Sequence, residues 1–458
     1  MARLLAPTAA HALFLLGLAF IADHLTVRAF RLDVGAAASR GVVRGNFSMG
    51  PLYHMLQEKK HEFEYKLFKH YFEGKRNDLP WKGLRWRRVL DSGSYAKVFE
   101  VEFSGPVSDC PAVSWVLKAS KKPVFNSHTT FGRPLKDVCV AHVFAGMPGV
   151  APPVLRVFDI RNHEGHAFVL AERATLDLFA WAHETSKLRK LTDPKYLAFK
   201  VIIFHQVLAG IQRMHTLGEG FGLLHCDIKP ENVMVRDLQA FLIDFEFVRS
   251  VNDTRPSLDG TMDYISPRYF ESRVCGRESD IWAAGVSLYF LFFNGYPYER
   301  KSPVDKAAPL ESPAQRFARE RDEYASASTA FAARMAEDKV WRDAFRQRVL
   351  GLFGETTGLF GNLDLGASVF AMFYSLFAED AAKRVEAFGG VVATAEQLAK
   401  ASAAILDKPL PAPTLGGAGG AMAQCAEAVQ QLAEGPPLPV LNIAAGIGGL
   451  QECLEYTD

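Results

Sequence analysis

The chain has almost no net charge: 52 Lys and Arg stand against 51 Asp and Glu over 458 residues, leaving +1. No excess of one sign exists to track a phosphate backbone, so nucleic acid is not expected among its ligands. Cysteine is scarce. Cys110, Cys139, Cys226, Cys275, Cys425 and Cys453 are scattered without the short paired spacings that hold zinc. No internal repeat is evident, and beyond the N-terminus no apolar run is long enough to cross a bilayer, that of Ile281 to Phe293 being too short.

What is present begins with Leu13-Phe14-Leu15-Leu16-Gly17-Leu18-Ala19-Phe20-Ile21-Ala22, preceded by Arg3 and His11 alone among basic residues. Residues 1–22 are read as a secretory signal peptide; the competing reading is an uncleaved anchor, against which Pro7 and His11 interrupt any longer apolar count. An oxidising route permits disulfides, and Asn46-Phe47-Ser48 and Asn252-Asp253-Thr254 match the glycosylation acceptor pattern. Residues 23–50, rich in Ala, Gly and Val with isolated arginines, are read as a disordered leader. Over 51–85 a helical extension is expected: Pro51 opens it, Met55, Leu56, Phe63, Leu67, Phe68, Tyr71 and Phe72 form a stripe, and Gly74 closes it. Lys59, Lys60, Lys66 and Lys69 lie largely off that stripe. Such a helix over 51–73 either touches an anionic membrane surface or packs its aromatic stripe on the domain that follows.

The chemistry concentrates in Leu224-His225-Cys226-Asp227-Ile228-Lys229-Pro230-Glu231-Asn232-Val233-Met234-Val235, followed after Arg236-Asp237-Leu238-Gln239 by Ala240-Phe241-Leu242-Ile243-Asp244-Phe245. A strand, a polar turn and a returning strand place Asp227, Lys229, Asn232 and Asp244 on one hairpin. A carboxylate to orient a hydroxyl, an ammonium beside a phosphate, and an amide plus a second carboxylate to hold a divalent cation are the groups that phosphoryl transfer needs.

This run resembles the catalytic loop of eukaryotic protein kinases, H-R-D-x-K-P-x-N followed by D-F-G, with Cys226 in place of Arg and Glu246 in place of Gly. Other stretches extend the resemblance over roughly Trp86 to Leu406. Asp91-Ser92-Gly93-Ser94-Tyr95-Ala96-Lys97-Val98 is similar to the glycine-rich turn over ATP, although only the middle glycine remains. Ser114-Trp115-Val116-Leu117-Lys118 looks like the strand that ends in the ATP-positioning lysine, and Asp137 falls nearest the place of its acidic partner. Phe168 to Ala174 is similar to the hinge. Asp177 is placed either to meet ribose hydroxyls or to cap a helix. Gly260-Thr261-Met262-Asp263-Tyr264-Ile265-Ser266-Pro267-Arg268 resembles the end of an activation segment, and Asp280-Ile281-Trp282-Ala283-Ala284-Gly285 retains D-x-W-x-x-G.

The resemblance implies an α+β, two-lobed protein kinase-like fold over 86–406, with a small β-rich N-lobe (86–172) and a larger helical C-lobe (173–406). Inserted helices are expected within 299–348, and 407–458 is read as an Ala/Gly/Pro-rich C-terminal tail of loose character. It also implies Asp227, Lys229 and Lys118 as catalytic residues. Gly93, Val98, Lys118, Asp137, Glu172, Ala174 and Asp177 would hold ATP, and Asn232 and Asp244 would hold Mg²⁺ or Mn²⁺. The partner is then a protein substrate.

Two departures bear on regulation. Cys226 removes the arginine that reads a phosphate on the activation segment, so activity is expected not to need that switch. Arg268 stands where the family has a Glu paired with a later Arg, here Arg384; two arginines cannot pair, and Arg268 is expected to face solvent or another acid. The signal peptide, basic helical leader, lost glycines and Ala-rich tail together look similar to the secreted apicomplexan rhoptry kinases, which are discharged into a host cell or its vacuole. The chain is accordingly expected to be a secreted Ser/Thr protein kinase. The alternative is a pseudokinase that binds nucleotide weakly, or not at all, and acts as a scaffold or allosteric partner.

Overall fold

The computed structural model describes residues 79–92, 96–104, 115–120, 133–147, 149–163, 165–188, 192–298, 312–354, 364–411, 419–434 and 442–455. The signal peptide, the leader, the 51–73 helix, Asn46 and Gly93 lie outside these residues. Of the expected 51–85 extension only residues 79–85 are described. They are not helical: Trp81 bridges to Ala433, and Leu84 already begins a strand.

The fold is the expected mixed α+β one. A five-stranded antiparallel sheet has the order β1-β2-β3-β5-β4, built from β1 (Leu84–Ser92), β2 (Ala96–Phe103), β3 (Trp115–Ser120), β4 (Val157–His163) and β5 (His166–Glu172). Alternation sets its faces. Phe99, Val101 and Phe103 of β2 and Trp115 and Leu117 of β3 are buried on one side, which leaves Val98 and Lys118 on the other. Helix α1 (Arg133–Ala145) joins β3 to β4 and buries Val138, Val140 and Phe144, with Ala141 partly buried.

The helical part begins with the short strand β6 (Leu176–Asp177) and α2 (Leu178–Leu188). Helix α3 (Pro194–His215) starts where the Asp193 carboxylate accepts the amides of Lys195 and Tyr196 and proline occupies the first turn. Among the described residues it alone is long and apolar enough to cross a membrane, but most of its apolar window is buried inside the protein, as suits a core helix. It leads to β7 (Leu223–Leu224) and to the hairpin of β8 (Val233–Arg236) and β9 (Gln239–Leu242), turned at Asp237 with φ 53°. Strand β10 (Arg249–Ser250) returns to pair with β7. Helices α4 (Pro267–Ser272) and α5 (Arg277–Phe293) follow, and Ile281 to Phe292 of α5 are buried throughout.

Helices α6 (Pro313–Glu337) and α7 (Lys339–Phe353) are amphipathic: Tyr324, Phe331, Met335, Phe345 and Val349 are buried while their charged residues form exposed i,i+4 pairs such as Arg316–Glu320. Helices α8 (Leu365–Leu376) and α9 (Ala381–Leu406) complete the bundle against α3 and α5. The described parts of 407–458 differ from the loose tail read from composition. They contain α10 (Gly419–Leu432) and α11 (Ile447–Leu454), with Cys425, Val429, Leu450 and Cys453 buried. Alanine is a strong helix former, and a disulfide from Cys139 to Cys453 fastens the segment to α1.

Candidate active site

The hairpin and the loop before it bring the predicted groups together. Asp227 follows Cys226, whose φ of 63° turns the chain sharply. Asp280, buried in the first turn of α5, accepts the backbone amides of His225 at 2.8 Å and Cys226 at 2.9 Å, and also meets His215 Nε2 at 3.0 Å. The loop is braced from below by one carboxylate. His225 Nε2 donates to the Ile243 carbonyl oxygen at 3.1 Å, which ties the loop to the strand that delivers Asp244.

The Asp227 carboxylate is nearly fully buried and accepts on both oxygens. Oδ2 receives Lys229 Nζ at 2.7 Å and Asn232 Nδ2 at 2.9 Å, while Oδ1 receives the Thr261 amide and hydroxyl, both at 2.9 Å. Lys229 Nζ also donates to Thr261 Oγ1 at 2.8 Å. Thr261 thus joins the catalytic loop to the Gly260–Arg268 segment, a role that sequence reading did not assign. Gly260 makes the approach possible: at φ +90°, a Cβ there would lie 2.5 Å from the Cys226 carbonyl oxygen.

Across the cleft, Lys118 Nζ lies 2.7 Å from Asp137 Oδ2 and 3.9 Å from Asp244 Oδ1. The other Asp137 oxygen accepts the Phe245 amide at 2.7 Å, so a single short acid on α1 touches both the lysine and the residue after Asp244. Burial opposes the charge on Lys118, yet Asp137 and Asp244 outweigh it and hold the ammonium above its ordinary range. Asp244 adopts the left-handed conformation, φ 67°. Burial raises its pKa despite Lys118, and Asp137 and Asp227 raise it further. Burial, then Asp244, pushes the Glu246 carboxyl up to about 7.

Asp137, Asp244 and Glu246 around Lys118, with Asp227 paired to Lys229 nearby, set four carboxyls against two ammoniums. Hard oxygen donors in such a cluster suit Mg²⁺ or Mn²⁺. Asn232 uses its Nδ2 on Asp227, which leaves the amide oxygen as its donor to a cation. Val98 lies directly across from Lys118 in the β2–β3 register, and Val169 across from it in β3–β5, so apolar side chains border the ammonium on the sheet face.

At the junction of the lobes the side chain of Glu172 turns away to Arg236, and its amide is taken by the Arg156 carbonyl at 2.9 Å. Ala174 is buried beside it. Asp177 caps α2, its Oδ1 accepting the Ala180 amide at 2.7 Å, which is the second of its two sequence readings. Arg268 is exposed, with Nε 4.0 Å from Glu278 Oε1. Arg384 is buried over the Trp282 ring and donates to the Ala378 carbonyl. Burial pushes its pKa down to about 10, against the opposing influence of Glu278. Glu278 and Asp380 are the acids whose charge favours the buried Arg384 guanidinium, where the resemblance led one to expect an acid at position 268.

Two disulfides whose partners both lie among the described residues also went unread. Cys226 is bonded to Cys275 and Cys139 to Cys453. Cys226, Cys275 and Asp280 lie close enough together to suggest a metal cluster, but the disulfide occupies both sulfurs.

The sheet, the braced loop and the lysine–aspartate pair define a protein kinase-like fold. Residues 143–340 match the family model of the protein kinase domain. The chain is similar to the striated muscle preferentially expressed protein kinase of Danio rerio, at 33% identity over 105 residues, 21% of this chain and 3% of that protein. It is similar also to the human cAMP-dependent protein kinase catalytic subunit PRKX, at 28% over 148 residues, 32% of this chain and 38% of that protein. Against the Caenorhabditis elegans serine/threonine-protein kinase plk-1 the identity is 34% over 123 residues, 26% of this chain and 18% of that protein. The matched part spans less than two-fifths of each of these relatives. Among solved structures, the Cydia pomonella Granulovirus kinase PK-1 matches with a TM-score of 0.43 and 17% identity, covering 68% of this chain and 93% of that one.

Proposed function

We propose that the chain is a secreted Ser/Thr protein kinase that transfers the γ-phosphoryl group of ATP to protein hydroxyls and is not gated by phosphorylation of its activation segment. The observation that carries this reading is the joint engagement of Asp227 by Lys229, Asn232 and Thr261. It fixes a carboxylate where a substrate hydroxyl would be oriented and ties it to the segment expected to position a peptide.

In this reading Asp227 orients the hydroxyl and takes up its proton, Lys229 neutralises charge on the phosphoryl oxygens, and Lys118, held by Asp137, steadies the nucleotide phosphates. Asn232 and Asp244 would hold Mg²⁺ or Mn²⁺, which would supply charge neutralisation to the phosphates. Glu246 adds a carboxylate beside them. The hinge supplies backbone groups and the buried Ala174 to the adenine.

Disulfide bonding of Cys139, Cys226, Cys275, Cys425 and Cys453 supports passage through an oxidising compartment, in keeping with the signal peptide reading. Delivery in the manner of rhoptry kinases, with substrates in a host cell, and contact of the 51–73 helix with a membrane surface belong to the same proposal. The pseudokinase reading is favoured by one feature, the loss of glycine at Asp91, Ala96 and Glu246. Transfer of radiolabel from ATP with Mg²⁺ or Mn²⁺ separates the two. The kinase reading expects incorporation by wild type and its loss in Asp227→Ala; equal incorporation by both ends it.

A further inference from the structure

Helix α1 carries the acid that holds Lys118, and in a fold of two lobes its position decides whether that pair exists. Asp137 and Cys139 are two residues apart on this helix, which puts them about 200° apart around its axis. One face therefore meets the cleft while the other is covalently bonded to Cys453 of α11, with Cα atoms 5.5 Å apart across 314 residues of sequence.

The rest of α11 has the form of a wedge. Cys453 and Leu450 are fully buried, and Ile443 just before the helix joins the main core with Val143, Phe144 and Leu217. A Cβ on Gly146, past the end of α1, would lie 2.6 Å from the Ala445 Cβ, and one on Gly218, past the end of α3, would lie 2.3 Å from Ile447 Cδ1. The segment 443–453 thus packs at once on the end of α1 and on the loop that leads to Asp227. The space behind α1 is filled by this chain's own residues 443–453.

We propose that α11, fastened through Cys139–Cys453, is a positioning device that keeps Asp137 against Lys118, so that nucleotide binding at the site depends on this disulfide. The proposal rests on the kinase reading for the nucleotide but not for the anchoring. Opening the bond with a dithiol such as dithiothreitol transfers two electrons and two protons, giving two cysteine thiols and the cyclic disulfide of the reagent. The segment 443–453 then holds α1 by apolar contact alone.

The test uses the full chain and crosses Cys139→Ala/Cys453→Ala with Asp137→Asn. It reads hydrogen exchange of residues 133–145 and affinity for a fluorescent adenine nucleotide with Mg²⁺. With the disulfide gone, exchange over 133–145 rises and affinity falls about tenfold where Asp137 is present, but falls little further once Asp137→Asn has already broken the pair. A merely structural disulfide gives losses that add. Unchanged exchange overturns the anchoring, and additive affinity losses overturn its coupling to Lys118. If no variant, nor wild type, binds adenine nucleotide, the kinase reading fails and the exchange measurement still decides the anchoring. Should the alanine pair not fold, Cys139→Val/Cys453→Ala keeps more apolar volume and serves in the same scheme.

Discussion

Asp259 Oδ2 lies 2.7 Å from Arg249 Nη2, an ion pair between the two ends of the segment that runs from the Asp244 turn to Thr261. Ser257 Oγ bonds both partners, and the Asp259 amide donates to Tyr269 Oη at 3.0 Å. Under the proposed function, a fixed carboxylate here would do the ordering that an added phosphate does where an arginine cluster awaits it. Phosphatase treatment is therefore expected to leave phosphoryl transfer unchanged, whereas Asp259→Asn lowers it about tenfold, a coupling of the usual allosteric size. Rates with radiolabelled ATP before and after treatment check both. Loss of activity on dephosphorylation contradicts the assignment.

Gly260 sits one residue before the threonine that grips Asp227. A side chain there meets the Cys226 carbonyl at 2.5 Å and must also adopt φ +90°. Gly260→Ala is expected to cost about 2 kcal/mol of stability and to reduce kcat more than the KM for ATP, because the displaced group is the Asp227–Thr261 contact and not the nucleotide pocket. Chemical denaturation and steady-state kinetics read the two effects. A wild-type kcat would show that the close approach is not needed.

How much of this was legible differs by the range of the interaction. Asp227, Lys229, Asn232 and Asp244 lie within eighteen residues, and local hairpin geometry brings them together, so spacing alone was enough to place them. Lys118 and Asp137 were placed by resemblance to the strand that ends in the ATP-positioning lysine and to the helix that carries its acidic partner, since a lone lysine at a strand end has no signature of its own. The Cys139–Cys453 bond spans 314 residues and has no local signature. The need for an acid near Arg384 was legible, but that Glu278 and Asp380 act on it was not, because neither stands where the family has its acid. The C-terminal helices were hidden by composition, since an Ala-rich stretch reads as loose until a partner surface is known.

That Glu278 assignment can be tested by contrast. Arg384 is buried with its Nε lacking a hydrogen-bond partner, so its charge depends on nearby acid, while the Arg268 side chain is 64% exposed. Glu278→Ala is expected to lower unfolding free energy by about 2 kcal/mol, since it removes the larger of the two acidic influences on a buried guanidinium, leaving that of Asp380. Arg268→Ala should change it by less than about 0.5 kcal/mol, as an exposed partner at 4.0 Å contributes little. Urea titration of both variants checks the order. Equal effects would place the compensation of Arg384 elsewhere.

Lys200 offers a prediction free of the catalytic site. It is buried in α3, its ammonium 4.0 Å above the Tyr196 ring and 5.8 Å from the Phe292 ring, and burial pushes its pKa down to about 7. In the unfolded chain the amine keeps its ordinary value of 10.5. Between those values the unfolded state binds the extra proton, so raising the pH draws protons from the unfolded state and stability rises through that window. Below pH 7 both states are charged and the full cost of the buried ammonium is present. Lys200→Met removes that cost: it is expected to raise stability at neutral pH by about 1–3 kcal/mol and to flatten the rise toward pH 10. Denaturation midpoints of the two proteins from pH 6 to 10 measure the slope, and parallel profiles would show that Lys200 keeps its charge throughout, held by the two rings.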